Sequence, residues 1–308
     1  MQLEEPLVSI IIPVYNRAAV IERALQSVHE QTYKTLEVIV IDDCSTDATQ
    51  EIVKGFADKR IVYYRLKKNS GAATARNNGI RLARGSYISF LDSDDVLEPQ
   101  FVEKSLAKIE NSSPDCGFVW TGCRRVKNEH GELSIKEEIW RPQIIESPYI
   151  TFLHGLHIGI GCGLTFKSEV FHRSKFYFDE ELKAAEDTDF FLRVSQSYSF
   201  DVVPDCLITI HQEAEDRLSL SYEKNAKAYE KIISKHGHKI ENYKSLRFKY
   251  NYKGMWYNLA AGCRSSALKY FFKLLKVEPF NPKIWLVLLS YFLLGKELAK
   301  RLHLKHSK

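Results

Sequence analysis

A chain of 308 residues, 44% hydrophobic and 27% charged, has the balance of a folded globular protein, long enough for one large domain or two modest ones, and this excludes disorder on a large scale. Its formal net charge of +5 suits a phosphorylated ligand, an anionic lipid surface or nucleic acid without choosing among them. Cys44, Cys116, Cys123, Cys162, Cys206 and Cys263 are scattered without C-x-x-C or zinc-type Cys/His spacing, so they read as reduced thiols rather than a redox motif or metal site.

The N-terminal MQLEEPLVSI carries acids where a signal peptide would be basic and then apolar, which predicts a cytoplasmic setting. No stretch reaches the roughly 18 apolar residues of a membrane span. LVSIIIPVY (7–15) is a β-branched run expected of a strand buried on both faces, and Ile21, Ala24, Leu25 and Val28 then repeat at helical spacing. LEVIVID (36–42) predicts a second strand, followed by a helix with Asp47 as its N-cap, Gln50 three residues on and an Ile52, Val53, Phe56 face. IVYYRL (61–66) predicts a third strand, GAATARNNGIRLARG (71–85) a helix bounded by glycines, and SYISFLD (86–92) a fourth strand. Strands alternating with helices imply right-handed β-α-β units and a largely parallel sheet.

In such sheets ligands bind beyond the carboxyl ends of the strands. The polar clusters fall there: Tyr15, Asn16 and Arg17 after the first strand, Asp42 and Asp43 after the second, and Asp92, Asp94 and Asp95 after the fourth. Clustered carboxylates raise one another's pKa unless a cation or solvent relieves them, so the last group is a candidate cation site. From residue 111 the pattern changes to CGFVWTG, a turn at 128–131, a Gly-rich stretch HIGIGCGLTF (157–166), a helix at EDTDFFLRVSQ (186–196) and a strand at LITIHQ (207–212). Beyond residue 222 only helices are expected.

Five pieces carry a family resemblance: VSIIIPVYNR (8–17), LEVIVIDDCSTDAT (36–49), GAATARNNGI (71–80), SYISFLDSDDVLEP (86–99) and EDTDFFLR (186–193). In this order and spacing the chain resembles, over roughly its first 215 residues, the inverting nucleotide-sugar glycosyltransferases of family 2. The resemblance implies an α/β GT-A fold, a Rossmann-like, mostly parallel sheet flanked by helices, with a C-terminal helical extension. It divides the chain into a donor-binding half (1–110), an acceptor-binding half of the same domain (111–222) and the extension (223–308). It further implies that Pro13, Tyr15 and Asp43 surround the nucleotide base and ribose, with Asn16 beside them, and that Arg76 faces the diphosphate. Asp92 and Asp94 match the D-x-D pair that touches the ribose and a Mn²⁺ or Mg²⁺ ion, His211 matches a histidine near the metal, and Asp187, within Glu186-Asp187, matches the catalytic base.

The implied chemistry explains the acidic corner. A departing sugar diphosphate sheds negative charge that a hard cation on carboxylate oxygens neutralises, while the acceptor hydroxyl needs a general base on the opposite face of the sugar. Glu186 and Asp189 would raise a base buried among them. The expected donor is a UDP-sugar first, and the acceptor a glycan or lipid-linked saccharide of bacterial-type surface polysaccharide synthesis; no nucleic acid partner is expected.

Plainer readings stand beside these for each segment alone. Asp42 to Asp47 is also a turn with a helix cap, Asp92 to Asp95 a solvated loop with Asp95 capping VLEPQF, and Glu186, Asp187 and Asp189 first-turn acids favoured by the helix dipole. Arg76 is also compatible with a surface helix position and His211 with a structural role. Val96 and Leu97 rule out an EF-hand, GIGCG (159–163) departs from a dinucleotide fingerprint, His154 and His157 lack a carboxylate set, and no P-loop occurs. Asp92-Ser-Asp94-Asp-Val96 also fits an aspartyl-phosphate phosphatase, although three strands precede it here, and a non-catalytic nucleotide-sugar or glycan-binding protein is a third class. Ile284 to Leu294, apolar except Ser290 and followed by Lys296, Lys300, Arg301, Lys305 and Lys308, suits either a helix in an anionic membrane interface at the inner face of the plasma membrane or one packed in the fold or a dimer.

Overall fold

The computed structural model describes residues 5–128, 135–144, 147–155, 163–211, 221–289 and 291. The chain forms two compact units, Met1–Glu181 with Glu186–Ala214, and Leu182–Ala185 with Glu215–Lys308.

The first unit is built on a sheet of nine strands in the order β3-β2-β1-β4-β8-β6-β9-β5, with β7 paired to β6. β1 (Val8–Val14) and β2 (Leu36–Asp42) are its apolar centre, as continuous hydrophobic runs require. They pair in parallel from Val8↔Leu36 to Val14↔Asp42; β4 (Tyr87–Phe90) lies parallel on the other side of β1, and β3 (Ile61–Arg65) parallel to β2. Between them run α1 (Ile21–His29), α2 (Thr49–Gly55) and α3 (Ala72–Leu82). Ile21, Ala24, Leu25 and Val28 form the buried stripe of α1 at the predicted spacing.

Beyond β4 the sheet is mixed. β8 (Leu164–Lys167) is antiparallel to both β4 and β6 (Cys116–Asn128), β9 (Ser199–His211) is parallel to β6, and β7 (Ile135–Trp140) is antiparallel to β6. Parallel pairing, as read from the sequence, thus joins the first four strands and also β6 and β9, with antiparallel pairings at β8, β7 and β5. The segment Val96–Leu97, considered above only as part of a capped loop, is the short strand β5, antiparallel to β9. Helix α4 (Phe101–Glu110) starts after it with Gln100, not Asp95, at its N-cap. Asp47 is likewise not the cap of α2, whose N-cap is Ala48. Its carboxylate instead accepts the Thr49 N–H at 3.1 Å and the Ala18 N–H at 3.0 Å, an Asx-type turn that ties the loop after β1 to the loop after β2.

The core under the second half of the sheet is aromatic. α7 (Glu186–Val194) inserts Phe190 and Phe191, both buried, among rings from several elements. Phe191 stacks on Phe152 of α5 (Pro148–Gly155) at 4.8 Å, and Phe190 stacks on Phe178 at 4.4 Å. Phe178 in turn meets Phe90 of β4 edge-on at 5.7 Å. Burying each ring stabilises the fold by roughly 1.5–3 kcal/mol and fixes where the start of α7 lies relative to the end of β4.

Apart from Leu182–Ala185 and its turns, the second unit is helical in its described residues: α8 (Tyr222–Ile240), α9 (Lys244–Ala261), α10 (Arg264–Val277) and a helical stretch over 282–289. Met255, Trp256, Leu259, Tyr270, Leu274 and Ile284 are the centre of its core. Gly262 ends α9 at φ 89°, a left-handed geometry that glycine adopts without strain, and the chain turns at once into α10. The turn predicted at 128–131, most of the Gly-rich stretch and the basic tail with Lys296, Lys300, Arg301, Lys305 and Lys308 fall largely outside the described residues. Among the described residues no helix is long and apolar enough to cross a membrane.

Gly79 is where α3 meets β1 most closely, since a Cβ there would fall inside the van der Waals radius of the Ile11 side chain, itself buried in the sheet. Gly79→Val is therefore expected to lower unfolding stability by about 1–3 kcal/mol, measured by denaturant titration.

Candidate active site

The ends of β1, β2 and β3 form one rim, because the register aligns Val14 with Asp42 and Asp42 with Arg65, while β4 ends with Phe90 opposite Ile11. Side chains hold the loops that leave this rim. Asp42, fully buried, accepts the Ser45 N–H at 2.7 Å and the Tyr63 hydroxyl. Asp43 accepts the Ser70 and Gly71 N–H groups, each at 2.7 Å, and so fixes the chain just before α3. Asn16, at φ 49°, receives the Thr46 N–H on its side-chain oxygen at 2.8 Å while its own N–H donates to the Ser45 hydroxyl. Pro13 lies in β1 opposite Ile41, and Tyr15 is exposed just beyond the strand end.

The acidic corner follows β4. The Asp94 carbonyl accepts from the Arg23 guanidinium of α1, with Nε at 3.1 Å. Asp95 is buried and accepts the backbone N–H of His211 at 3.0 Å, a contact that the pairing of β5 with β9 creates. Burial first, and then the charges of Asp92 and Asp94, push the Asp95 carboxyl well above the usual carboxylate range.

Arg76 joins this corner to α7. Its guanidinium is buried; Nη2 donates to Asp92 Oδ1 at 3.0 Å and Nη1 to Glu186 Oε1 at 2.8 Å, and it lies 5.7 Å from the centre of the Phe178 ring. Its two terminal nitrogens thus hold two of the predicted site carboxylates, from segments almost a hundred residues apart. Asp187 sits next in the chain and is half-buried. Burial and then the Glu186 charge raise its pKa to about 7, with Arg76 acting in the opposite direction. Asp189, the other acid of this turn, is fully buried and accepts from Arg193 Nε at 2.8 Å, one turn along α7.

Two supports escaped the sequence reading. Arg23 holds the Asp94 backbone, and Asn77 clasps the segment before α7, accepting the Phe178 N–H at 2.9 Å and donating to the Phe178 carbonyl and to Glu180. Asn77 stands one residue beyond Arg76 in the ARNNG piece, which was the available signal.

A divalent cation fits the chemistry of the corner. Asp92 and Asp94 offer hard oxygen donors whose charges already disfavour ionisation of Asp95. Among the described residues no group of three or more His, Cys, Asp or Glu side chains is arranged to hold a metal ion. Protein oxygens would thus supply only part of a coordination shell, as is common where phosphate oxygens and water complete it.

Known proteins share this architecture. Staphylococcus aureus TarS (residues 1–349), solved with UDP-GlcNAc, superimposes with a TM-score of 0.58 at 22% identity, over 73% of this chain and 66% of that one. The mannosyltransferase PcManGT of Pyrobaculum calidifontis, solved with GDP-Man and Mn²⁺, gives a TM-score of 0.53 at 18% identity over 98% of this chain and 79% of its own. Both likenesses establish a mixed α/β GT-A fold. The putative teichuronic acid biosynthesis glycosyltransferase TuaG of Bacillus subtilis is 43% identical over 120 residues, 38% of this chain and 47% of TuaG. An uncharacterized glycosyltransferase of Rickettsia typhi is 35% identical over 63% of this chain, and the match spans only 61% of that relative's length. Residues 9–174, more than half of the chain, match the family model described as Glycosyl transferase family 2, and the chain belongs to that family.

Proposed function

We propose that the protein transfers a sugar from a nucleotide diphosphate donor to a hydroxyl of a glycan or lipid-linked saccharide, with inversion at the anomeric carbon and with the help of Mn²⁺ or Mg²⁺. The observation that carries this reading is the pair of contacts from Arg76 to Asp92 and Glu186, which brings the acidic corner and the start of α7 to one point. The nucleotide sugars bound to TarS and PcManGT support the donor class, with UDP-sugars first, and the Mn²⁺ of PcManGT supports the cation. TuaG supports an acceptor in surface polysaccharide synthesis. The five described cysteines, all free thiols, are in keeping with a cytoplasmic setting.

In this mechanism Pro13, Tyr15, Asn16 and Asp43 line the nucleoside side of the rim, and Asp92 and Asp94 would hold the cation, with His211 as a further candidate ligand beside Asp95. When bound, the cation neutralises charge on the leaving diphosphate. Asp187 takes the proton of the acceptor hydroxyl; that oxygen bonds to the anomeric carbon from the face opposite the nucleotide, and the bond from that carbon to the diphosphate oxygen breaks. Glu186 raises the basicity of Asp187 by its charge, and together with Asp92 it compensates the buried Arg76, which positions both segments.

Asp94→Asn and Asp187→Asn are both expected to abolish transfer, but only Asp94→Asn should weaken Mn²⁺-dependent nucleotide binding in calorimetry; equal losses of binding would overturn the assignment. The pH profile of kcat/KM should show an acidic limb near pH 7, because Asp187 must be ionised to accept a proton. Glu186→Gln should move that limb to lower pH. Since the folded pKa of Asp187 lies above its unfolded value, its charge opposes folding above pH 7 and this effect vanishes below about pH 4. Asp187→Asn should accordingly raise the Tm at pH 8 and lose that advantage as the pH approaches 4.

A further inference from the structure

The hairpin of α10 and the 282–289 helical stretch has two unlike faces. Its inner face, with Ala267, Tyr270, Leu274, Ile284 and Val287, is buried in the core of the helical unit. Its outer face carries Leu268, Phe272, Phe280, Trp285, Leu286 and Leu289, half of the twelve exposed large hydrophobic side chains among the described residues. The exposure is substantial: Phe280 is 93%, Leu286 64% and Phe272 59% accessible. The arrangement is also fixed, since Trp285 Nε1 donates to the Pro279 carbonyl at 2.9 Å and the Trp285 ring meets Phe271 edge-on at 5.7 Å.

Charge on this face has one sign. Lys269, Lys273, Lys276 and Lys283 are exposed among the apolar side chains, and none of them is paired with a carboxylate among the described residues. The hairpin's acid, Glu278, is taken up by Asn281 at 2.6 Å and by Lys244 at 3.5 Å. Six exposed large apolar side chains concentrated on one hairpin mark a binding face. A second copy of the chain is a poor occupant, because an interface between identical patches would set lysines against lysines while burying them. An anionic bilayer offers both complements at once: acyl chains for Phe280, Trp285 and Leu286, and phosphate headgroups for the lysines that flank them.

We propose that this hairpin face docks the protein on the surface of an anionic membrane without crossing it. The inference goes beyond the glycosyl transfer reading and is independent of it. The test is sedimentation of the full chain with phosphatidylcholine/phosphatidylglycerol vesicles and with pure phosphatidylcholine vesicles, alongside light scattering and nucleotide binding in solution. Wild type should pellet with the anionic vesicles only. Phe280→Glu with Leu286→Glu should abolish pelleting, and Lys269→Gln with Lys273→Gln should weaken it by roughly fivefold for each lysine removed. A blue shift of tryptophan emission on vesicle addition should disappear in Trp285→Phe. These side chains face outward, so nucleotide binding should be unchanged in every variant. A wild-type chain that stays in the supernatant, pelleting that survives all of the substitutions, or a dimer that Phe280→Glu dissociates would each overturn the proposal while leaving the glycosyl transfer reading intact.

Discussion

A buried guanidinium must find negative charge, because arginine does not shed its proton and bare burial of a cation is prohibitively unfavourable. Arg76 finds it in Asp92 and Glu186, and the geometry of the site follows from that need. One carboxylate comes from the loop after β4 and the other from the first turn of α7, so neither segment can move off without exposing a charge inside the protein. Removing one partner of such a pair typically costs about 3–5 kcal/mol, whereas the same contact at the surface would contribute little. The same arrangement leaves Asp187 next to a negative neighbour and short of water, and its raised proton affinity is the result.

Packing supplies the scaffold for that electrostatic bridge. Phe90 at the end of β4, Phe178 before α7 and Phe190 within it form a chain of ring contacts running behind the charged groups, and Arg76 lies against the middle ring. Asn77 secures the middle of that chain by bonding both backbone groups of Phe178. Local sequence, tertiary packing and ionisation are therefore linked in a few residues: ARNN on one helix fixes the ring, the ring fixes the start of α7, and α7 presents Asp187.

Much of this could be read in the chain itself. The β-branched runs of β1 and β2 and the stripe of α1 are strong periodic signals, and the strand-end carboxylates fall where a parallel sheet must gather them. Other features depend on pairing between distant segments, which no local pattern encodes. Val96–Leu97 becomes a strand only because β9 comes alongside, and that pairing alone brings His211 to Asp95. The reversal of strand direction at β8 has the same origin, since β8 is a short segment whose partners lie far away in sequence. The sequence placed Glu186 and Asp189 alike as neighbours of Asp187, but their cation partners differ: Arg76 of a distant helix binds Glu186, whereas Arg193, four residues on, binds Asp189.

The rim uses its carboxylates in two ways. Asp42, Asp43 and Asp95 are occupied by backbone N–H groups of neighbouring loops, as though standing in for secondary structure where the strands stop. An alanine scan of this surface would consequently report inactivity at architectural and chemical positions alike, the former through collapsed loops and the latter through lost reactivity. Only isosteric replacements read together with a structural probe can separate the two kinds of acid.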